Sequence, residues 1–247
     1  MNATYGRYRC LMNLLKSIGT SNHPLARLIA SGLRFPVHMV ELRRLAYYKS
    51  PQIVSLLKQI RRERELGQWN DAAYMIYSCV QSVRRLPGQL AEVGVYQGGS
   101  AKLICEAKGD QPLHLFDTFG GLPEPDAIDL YHTVHQFAVS LESVQRYLNA
   151  YPNVFFHKGL CPSETGQAVE HLRFAFVHLD VDFYRSTREC LEFFYRRMVP
   201  GGIIVVSDYT HLPGVKQATD EVLQGTSDTI VDLPTSQLLV IKSRTLG

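Results

Sequence analysis

Three aspartates carry the strongest chemical signal in this 247-residue chain. Asp180 and Asp182 close the apolar run FAFVHLDVD, and Asp208 closes a second run, GGIIVVSD. Clustered carboxylates repel one another unless a proton or a cation neutralises them. Hard oxygen ligands of this kind suit Mg²⁺ or a similar ion that keeps part of its shell for water or substrate oxygens. A carboxylate beside such an ion can also take a proton from a hydroxyl. The plainer alternative is that one or two of these aspartates cap the helix that follows, or pair with Arg185 and Arg188.

The elements around the aspartates decide whether they meet. A helix-length segment and then Pro200-Gly201-Gly202 separate the two runs, which describes a βαβ unit. Its strands are parallel, so both carboxyl ends reach one edge of the sheet. Open α/β sheets bind ligands at that edge. If the first strand stays extended, Asp180 and Asp182 face the same side, because side chains alternate with period two.

The alternation begins at Leu90. The pattern predicts strands over 90–95, 113–118, 153–158, 174–180, 202–208, 229–233 and 237–242. It predicts helices over 70–85 (with Asn70 as N-cap), 99–108, 140–150, 162–171, 185–198 and 214–224. The fold class is therefore α/β, a doubly wound and mostly parallel sheet of seven strands. Only Pro234 to Ser236 separate the last two strands, too few residues for a parallel crossover, so these form an antiparallel hairpin.

Charge divides the chain. Residues 1–65 hold 12 Lys/Arg against 3 Asp/Glu, and the remainder holds 14 against 20. This suggests a basic helical extension over 1–69, punctuated by Pro24, Pro36 and Pro51, before a sheet domain over 70–247. A basic arm can dock on an anionic surface such as lipid headgroups, form a solvated helical face, or pack on the acidic body or a second subunit. Peripheral membrane contact through residues 1–65 and a homo-oligomer both stay open, and no nucleic-acid partner is expected. The five cysteines are odd in number, scattered and without a CxxC, which argues against a disulfide framework or zinc site and fits a reducing, cytoplasmic setting. No run of about 18 apolar residues predicts a transmembrane helix.

Two further motifs lie at the same predicted edge. Glu92-Val93-Gly94-Val95-Tyr96-Gln97-Gly98-Gly99-Ser100 forms the first strand-to-helix turn, where glycines permit a tight turn and close approach to a ligand. Its spacing is neither GxGxxG nor a Walker A loop, which disfavours nicotinamide cofactors and ATP. Asp117 ends the next strand, placed either to accept from the vicinal hydroxyls of a ribose or to cap a turn. The aperiodic segment 119–139 reads as a lid or substrate loop, with His132 and His135 as candidates for substrate contact or base. Tyr184 and Tyr209 are candidates to stack on a sugar ring, His211 is a candidate polar contact, and His178 reads as a satisfied core histidine.

The segments EVGVYQGGS, FDTFGGLPEP, HLDVDFYRST and GGIIVVSDY, followed by GVKQATDEV, resemble the macrocin/TylF-type sugar O-methyltransferases over roughly residues 70–242. The resemblance implies a Rossmann-like class I fold with S-adenosyl-L-methionine as cofactor. Glu92, Gly94, Gly98 and Ser100 would serve its methionine end, Asp117 and Thr118 its ribose, and His157, Lys158 and Gly159 its adenine. Asp180 would border the cofactor and, with Asp208, hold Mg²⁺, while Asp182 would be the base. Ser207 stands where the family usually has an aspartate, so it would be a weak neutral ligand at most. The implied activity is metal-assisted methylation of a sugar hydroxyl of a glycoside or glycan. A catechol-type O-methyltransferase and a cofactor-binding scaffold docking through its basic arm are the competing readings.

Overall fold

The computed structural model describes residues 37–243. The chain divides into two compact units, Met1–Ser55 and Leu56–Gly247. In the first, residues 37–48 are helical. Pro51 then opens helix α1 (Pro51–Glu63), at the helix start where a missing N–H costs nothing. The short helices expected before Pro36 lie outside the described residues. No helix among the described residues is long and apolar enough to cross a membrane.

The larger unit takes in the end of α1 and then α2 (Asn70–Val83), β1 (Gln89–Val93), α3 (Gly99–Lys108), β2 (Leu113–Asp117), α4 (Leu141–Leu148), β3 (Val154–Lys158), β4 (Phe174–Leu179), α5 (Tyr184–Tyr195), β5 (Met198–Val206), α6 (Pro213–Leu223), β6 (Thr229–Asp232) and β7 (Leu238–Ile241). The sheet order is β3-β2-β1-β4-β5-β7-β6. The first five strands are parallel, and β7 runs antiparallel between β5 and β6. This is the doubly wound sheet with a terminal hairpin that the residue pattern predicts.

Burial explains the strand types. Every residue of the central β4 is buried, which a run of phenylalanine, valine and leucine tolerates on both faces. One face packs Phe176, Leu90, Leu115 and Val205 against Ile76 and Ile104. The other packs Phe116, Phe174, Val177 and Ile204 against Leu191 and Phe194. Each such side chain contributes about 1.5–3 kcal/mol on burial. The edge strand β6 is exposed throughout.

Three local expectations differ from the structure. The helix expected over 162–171 is a single 3₁₀ turn, Gly166–Val169. Pro162 and Gly166 are poor helix formers, and Gly166 packs so closely that a Cβ there would lie 3.0 Å from both Phe193 and Pro162. Pro200-Gly201-Gly202 is an irregularity inside β5, not a turn before it, and the register with β4 shifts there. Asn70 does not cap α2. Its Oδ1 accepts from Arg61 Nε at 2.7 Å, and Trp69 holds the cap position without a side-chain bond.

Several buried polar groups in and beside the sheet are paired. Lys108 is 1% exposed and donates to the carbonyls of Gly109, Gln111 and Pro152 at 3.3, 2.9 and 2.9 Å, which ties the end of α3 to the chain entering β3. His114 in β2 lies with Nδ1 2.9 Å from His157 Nε2 in β3, while its Nε2 meets Gln89 Oε1. Burial, and then the neighbouring His157 and His171, hold the His114 pKa down to about 4. The unfolded chain, with an ordinary histidine pKa near 6.5, therefore binds this proton more readily than the native protein. The contribution of this pair is complete above about pH 6.5 and is lost as the pH falls through 4. Urea unfolding across pH 7 to 4 is expected to show a loss of about 2 kcal/mol from this source. A His114→Gln variant should lose correspondingly less over the same window, and equal slopes for the two proteins would refute the assignment.

Candidate active site

The carboxyl ends of β4 and β5 bring the three aspartates together. One carboxylate oxygen from each of Asp180, Asp182 and Asp208 lies within 4.8 Å of the others. Strand alternation does not produce this convergence, because β4 ends at Leu179. Asp182 instead sits at φ +62°, in a three-residue turn closed by Phe183 N–H to the Val181 carbonyl at 2.7 Å. Asp208 sits at φ +54°, and its carbonyl accepts from His211 and Leu212 N–H at 3.0 and 2.9 Å. A left-handed backbone at a non-glycine residue costs about 1–3 kcal/mol and clusters at functional sites. Two such residues aim their carboxylates at one point.

Gly94 lets the first turn reach this point. At φ +88° its position leaves no room for a side chain, since a Cβ would lie 1.9 Å from the Asp180 carbonyl oxygen. Asp180 N–H in turn donates to the Val93 carbonyl at 2.9 Å. The end of β1 and the end of β4 are thus in contact along their backbones.

Electrostatics set the terms for any ligand. Burial pushes Asp180 up to about 7; His178 opposes that rise, while Asp182, Asp208 and Glu92 reinforce it. Such a group demands a proton or a cation, and three hard oxygen donors this close fit a divalent ion. Beneath them runs a buried line. Glu92 Oε1 lies 2.9 Å from His178 Nδ1, and His178 Nε2 lies 2.9 Å from Ser207 Oγ. Burial works against charge on His178, but the bond and field of Glu92, with Asp180 and Asp208 beyond, outweigh it and raise its pKa. His178 is a satisfied core histidine, and the Ser207 hydroxyl is engaged with it below the carboxylates. Glu92 is wholly buried, and its second oxygen, Oε2, has no hydrogen-bond partner among the described residues.

The segment 119–139 borders the Asp182 side. Asp129 accepts from Tyr184 N–H at 3.0 Å, at the first turn of α5, and from Asp126 N–H at 3.0 Å. It also lies against Gly214 at the start of α6, where a Cβ would meet Asp129 Oδ1 at 2.2 Å. A carboxylate at a helix start is favoured by the exposed amides and the dipole. His132 Nε2 lies 3.9 Å from Asp182 Oδ1. Asp129, Tyr131, His132, Asp182 and Gly214 line a small cleft there. The other candidates for acceptor contact have polar partners of their own. His135 Nδ1 is 3.2 Å from the Gly120 carbonyl. The Tyr184 hydroxyl donates to Glu221 at 2.6 Å, and that of Tyr209 donates to Asp220 at 2.7 Å while Lys216 lies over its ring. Helix packing thus occupies both tyrosines. His211 follows the Asp208 turn, with Nδ1 3.5 Å from Thr210 Oγ1.

Several candidate cofactor residues hold the edge in shape. Asp117 Oδ2 accepts from Val95 and Tyr96 N–H at 2.8 and 2.9 Å, and Oδ1 accepts from Phe119 N–H at 2.7 Å. It braces the glycine turn. Thr118 Oγ1 donates to the Gly121 carbonyl at 2.6 Å. Gly98, at φ +83°, starts α3 and leaves the N-terminal amides of Gly99 and Ser100 at the edge. The His157 ring stacks on Phe116 at 4.5 Å, on the core face of β3, whereas Lys158 is exposed. Gly159 N–H donates to the Asp117 carbonyl at 3.0 Å, and Leu160 N–H donates to Glu164 at 2.8 Å. Sequence reasoning missed Asp129 and Gln68. Gln68 Nε2 donates to Asp180 Oδ2. Neither carries a local motif. For the Glu92–His178 pair a signal existed, since each residue stands two positions before the close contact of Gly94 with Asp180.

A model of the macrocin-O-methyltransferase (TylF) family matches residues 72–230. The chain is 32% identical over 149 residues to the 8-demethyl-8-(2,3-dimethoxy-alpha-L-rhamnosyl)-tetracenomycin-C 4'-O-methyltransferase of Streptomyces olivaceus, covering 53% of this chain and 57% of that protein. It is 29% identical over 177 residues to the mycinamicin III 3''-O-methyltransferase of Micromonospora griseorubida, covering 63% and 69%. Among solved structures, the O-methyltransferase NovP superposes with a TM-score of 0.63 at 28% identity, covering 70% of this chain and 79% of NovP. The fold is that of the class I methyltransferases.

The Asp129 bonds predict a specific weakness. Asp129→Ala should cost about 1–2 kcal/mol, the usual worth of a helix-start cap, and should expose the 119–139 segment to limited proteolysis. Unfolding and cleavage rates equal to those of the unaltered protein would show that Asp129 is not the clamp.

Proposed function

The chain belongs to the macrocin-O-methyltransferase (TylF) family, and on that premise we propose that it is an S-adenosyl-L-methionine-dependent O-methyltransferase acting on a sugar hydroxyl of a glycoside, with a divalent cation at its aspartates. The observation that carries this reading is the meeting of three carboxylates within 4.8 Å beside the glycine turn of β1. The relatives' names specify a rhamnosyl-bearing tetracenomycin and mycinamicin III as acceptors, which favours a glycoside over a free catechol.

The residues fit both groups. Asp180 and Asp208 would hold the cation, and their mutual repulsion with Asp182 is the physical reason a cation is favoured there. The first amides of α3 and the turn at Gly94 would receive the charged methionine end of the cofactor. When bound, the cofactor supplies an electrophilic methyl, and the cation supplies positive charge that acidifies a nearby hydroxyl.

The remaining work falls to the chain. A carboxylate oxygen of Asp182 would take the proton of the acceptor hydroxyl as the hydroxyl oxygen becomes nucleophilic. Its left-handed turn fixes where that carboxylate sits, so no search for geometry is needed at the moment of reaction. His132, whose Nε2 lies 3.9 Å from Asp182 Oδ1, would border the acceptor as well as the base. The 119–139 segment, clamped by Asp129 to α5 and α6, forms the wall on the acceptor side.

Calorimetry should show S-adenosylhomocysteine binding to the purified protein, and no heat from folded protein would remove this reading. Asp182→Asn should lower turnover of a glycoside acceptor by roughly 10²–10⁴-fold while leaving S-adenosylhomocysteine affinity within about twofold. Near-normal turnover would exclude Asp182 as the base. For the cation, Mg²⁺ should raise the melting temperature of the unaltered protein and not that of Asp208→Ala, because the ion binds only the folded cluster. An equal response in both would move the ion elsewhere.

A further inference from the structure

Between α1 and α2 the chain crosses the carboxyl edge of the sheet as a strap. Glu63 Oε2 accepts from Lys102 Nζ at 2.7 Å and from the Tyr147 hydroxyl at 2.9 Å, anchoring the strap to α3 and α4. Arg64 donates to the Ser143 hydroxyl and carbonyl at 3.1 and 3.2 Å. Glu65 N–H donates to Gln97 Oε1 at 3.0 Å, and the Tyr96 hydroxyl donates to Glu65 Oε2 at 3.0 Å. Arg61 reaches back and donates to the Gln68 carbonyl at 2.6 Å and to Asn70 Oδ1 at 2.7 Å. Gln68 is therefore held from both sides of the strap, and its amide faces the aspartates.

The two ends of that amide differ. Nε2 donates to Asp180 Oδ2. The ionised form of Asp180, the one that holds a cation, only accepts, so the amide orientation is fixed in that form. Oε1 is then directed away from Asp180, and it is enclosed without a hydrogen-bond partner among the described residues. A buried amide oxygen left unpaired is destabilising. A side chain braced this firmly in that state is a receptor for a donor that arrives with a ligand. The strap bonds to Tyr96 and Gln97 of the β1 turn, whereas no strap residue lines the cleft at Asp129 and His132. The donor therefore belongs to the ligand at the glycine turn. It should be cationic, because it lies next to a carboxylate.

We infer that Gln68 is a positioning residue that reads the cofactor: its Oε1 accepts a hydrogen bond from the α-ammonium of the methionine portion, and its Nε2 holds Asp180. This rests on the cofactor reading above. It joins two events in one side chain, since the amide that receives the cofactor's ammonium also fixes a carboxylate of the proposed cation site.

The test compares two ligands by calorimetry in chelator-treated buffer: S-adenosylhomocysteine and its des-amino analogue, in which hydrogen replaces the ammonium. Gln68→Leu should weaken S-adenosylhomocysteine by about tenfold or more, the worth of a hydrogen bond to a charged group. It should leave the des-amino analogue within about twofold of its affinity for the unaltered protein. Gln68→Met, which keeps the length and removes the amide, should behave in the same way and serves if the leucine variant does not fold. Equal losses on both ligands, or no loss on S-adenosylhomocysteine, would overturn the inference. So would a loss that appears only when Mg²⁺ is restored, since the donor would then be a water on the ion. If the unaltered protein binds neither ligand, the cofactor reading itself fails, an outcome distinct from binding that ignores Gln68.

Discussion

Three carboxylates cannot share 4.8 Å of space without a compensating charge, and much of this molecule is arranged around that constraint. Part of the compensation comes from below, where Glu92 holds His178 and favours its protonated form against the cost of burial. The charge so placed pulls Asp180 back toward ionisation, although burial and the other carboxylates still leave it near 7. The balance is left short by design of the fold: the backbone bends at Asp182 and Asp208 bring negative groups closer than extended strands would. Those bends cost free energy, and a bound ion is the natural offset.

Ser207 belongs to the same balance. A carboxylate at this position would add a fourth negative group directly against His178. The hydroxyl instead accepts a bond from, or donates one to, His178 Nε2 and adds no charge. Ser207 is therefore accommodated by a hydrogen-bonded line, Glu92 to His178 to Ser207, with each member buried.

The fold was legible because its signals are local. Apolar runs, glycine turns and helix-length spacers mark the strands and their parallel sense, and the short Pro234 to Ser236 link forces the last hairpin. The meeting of the aspartates was legible for the same reason, although the period-two argument gave the wrong cause, since left-handed turns aim Asp182 and Asp208. The helix over 162–171 misled because apolar spacing outweighed Pro162 and Gly166. Tyr184 and Tyr209 stood out by residue type, and each hydroxyl bonds an acidic partner on α6, a contact that only helix packing reveals. Gln68 carries no motif at all. Its importance comes from a bond spanning 112 positions of sequence, which no local pattern encodes.

The two aspartates of the D-x-D segment consequently look in different directions. Asp180 is met by the strap, whose other bonds run to the glycine turn, α3 and α4. Asp182 is met by the 119–139 segment, whose other bonds run to α5 and, by close packing at Gly214, to α6. One residue of spacing, with a left-handed turn beside it, thus separates the aspartate met by the strap from the aspartate met by the 119–139 segment. The same turn keeps both carboxylates within reach of Asp208. A helical or fully extended backbone at Asp182 would lose one of those two relations, which is a physical reason for a non-glycine residue to be held in so costly a conformation.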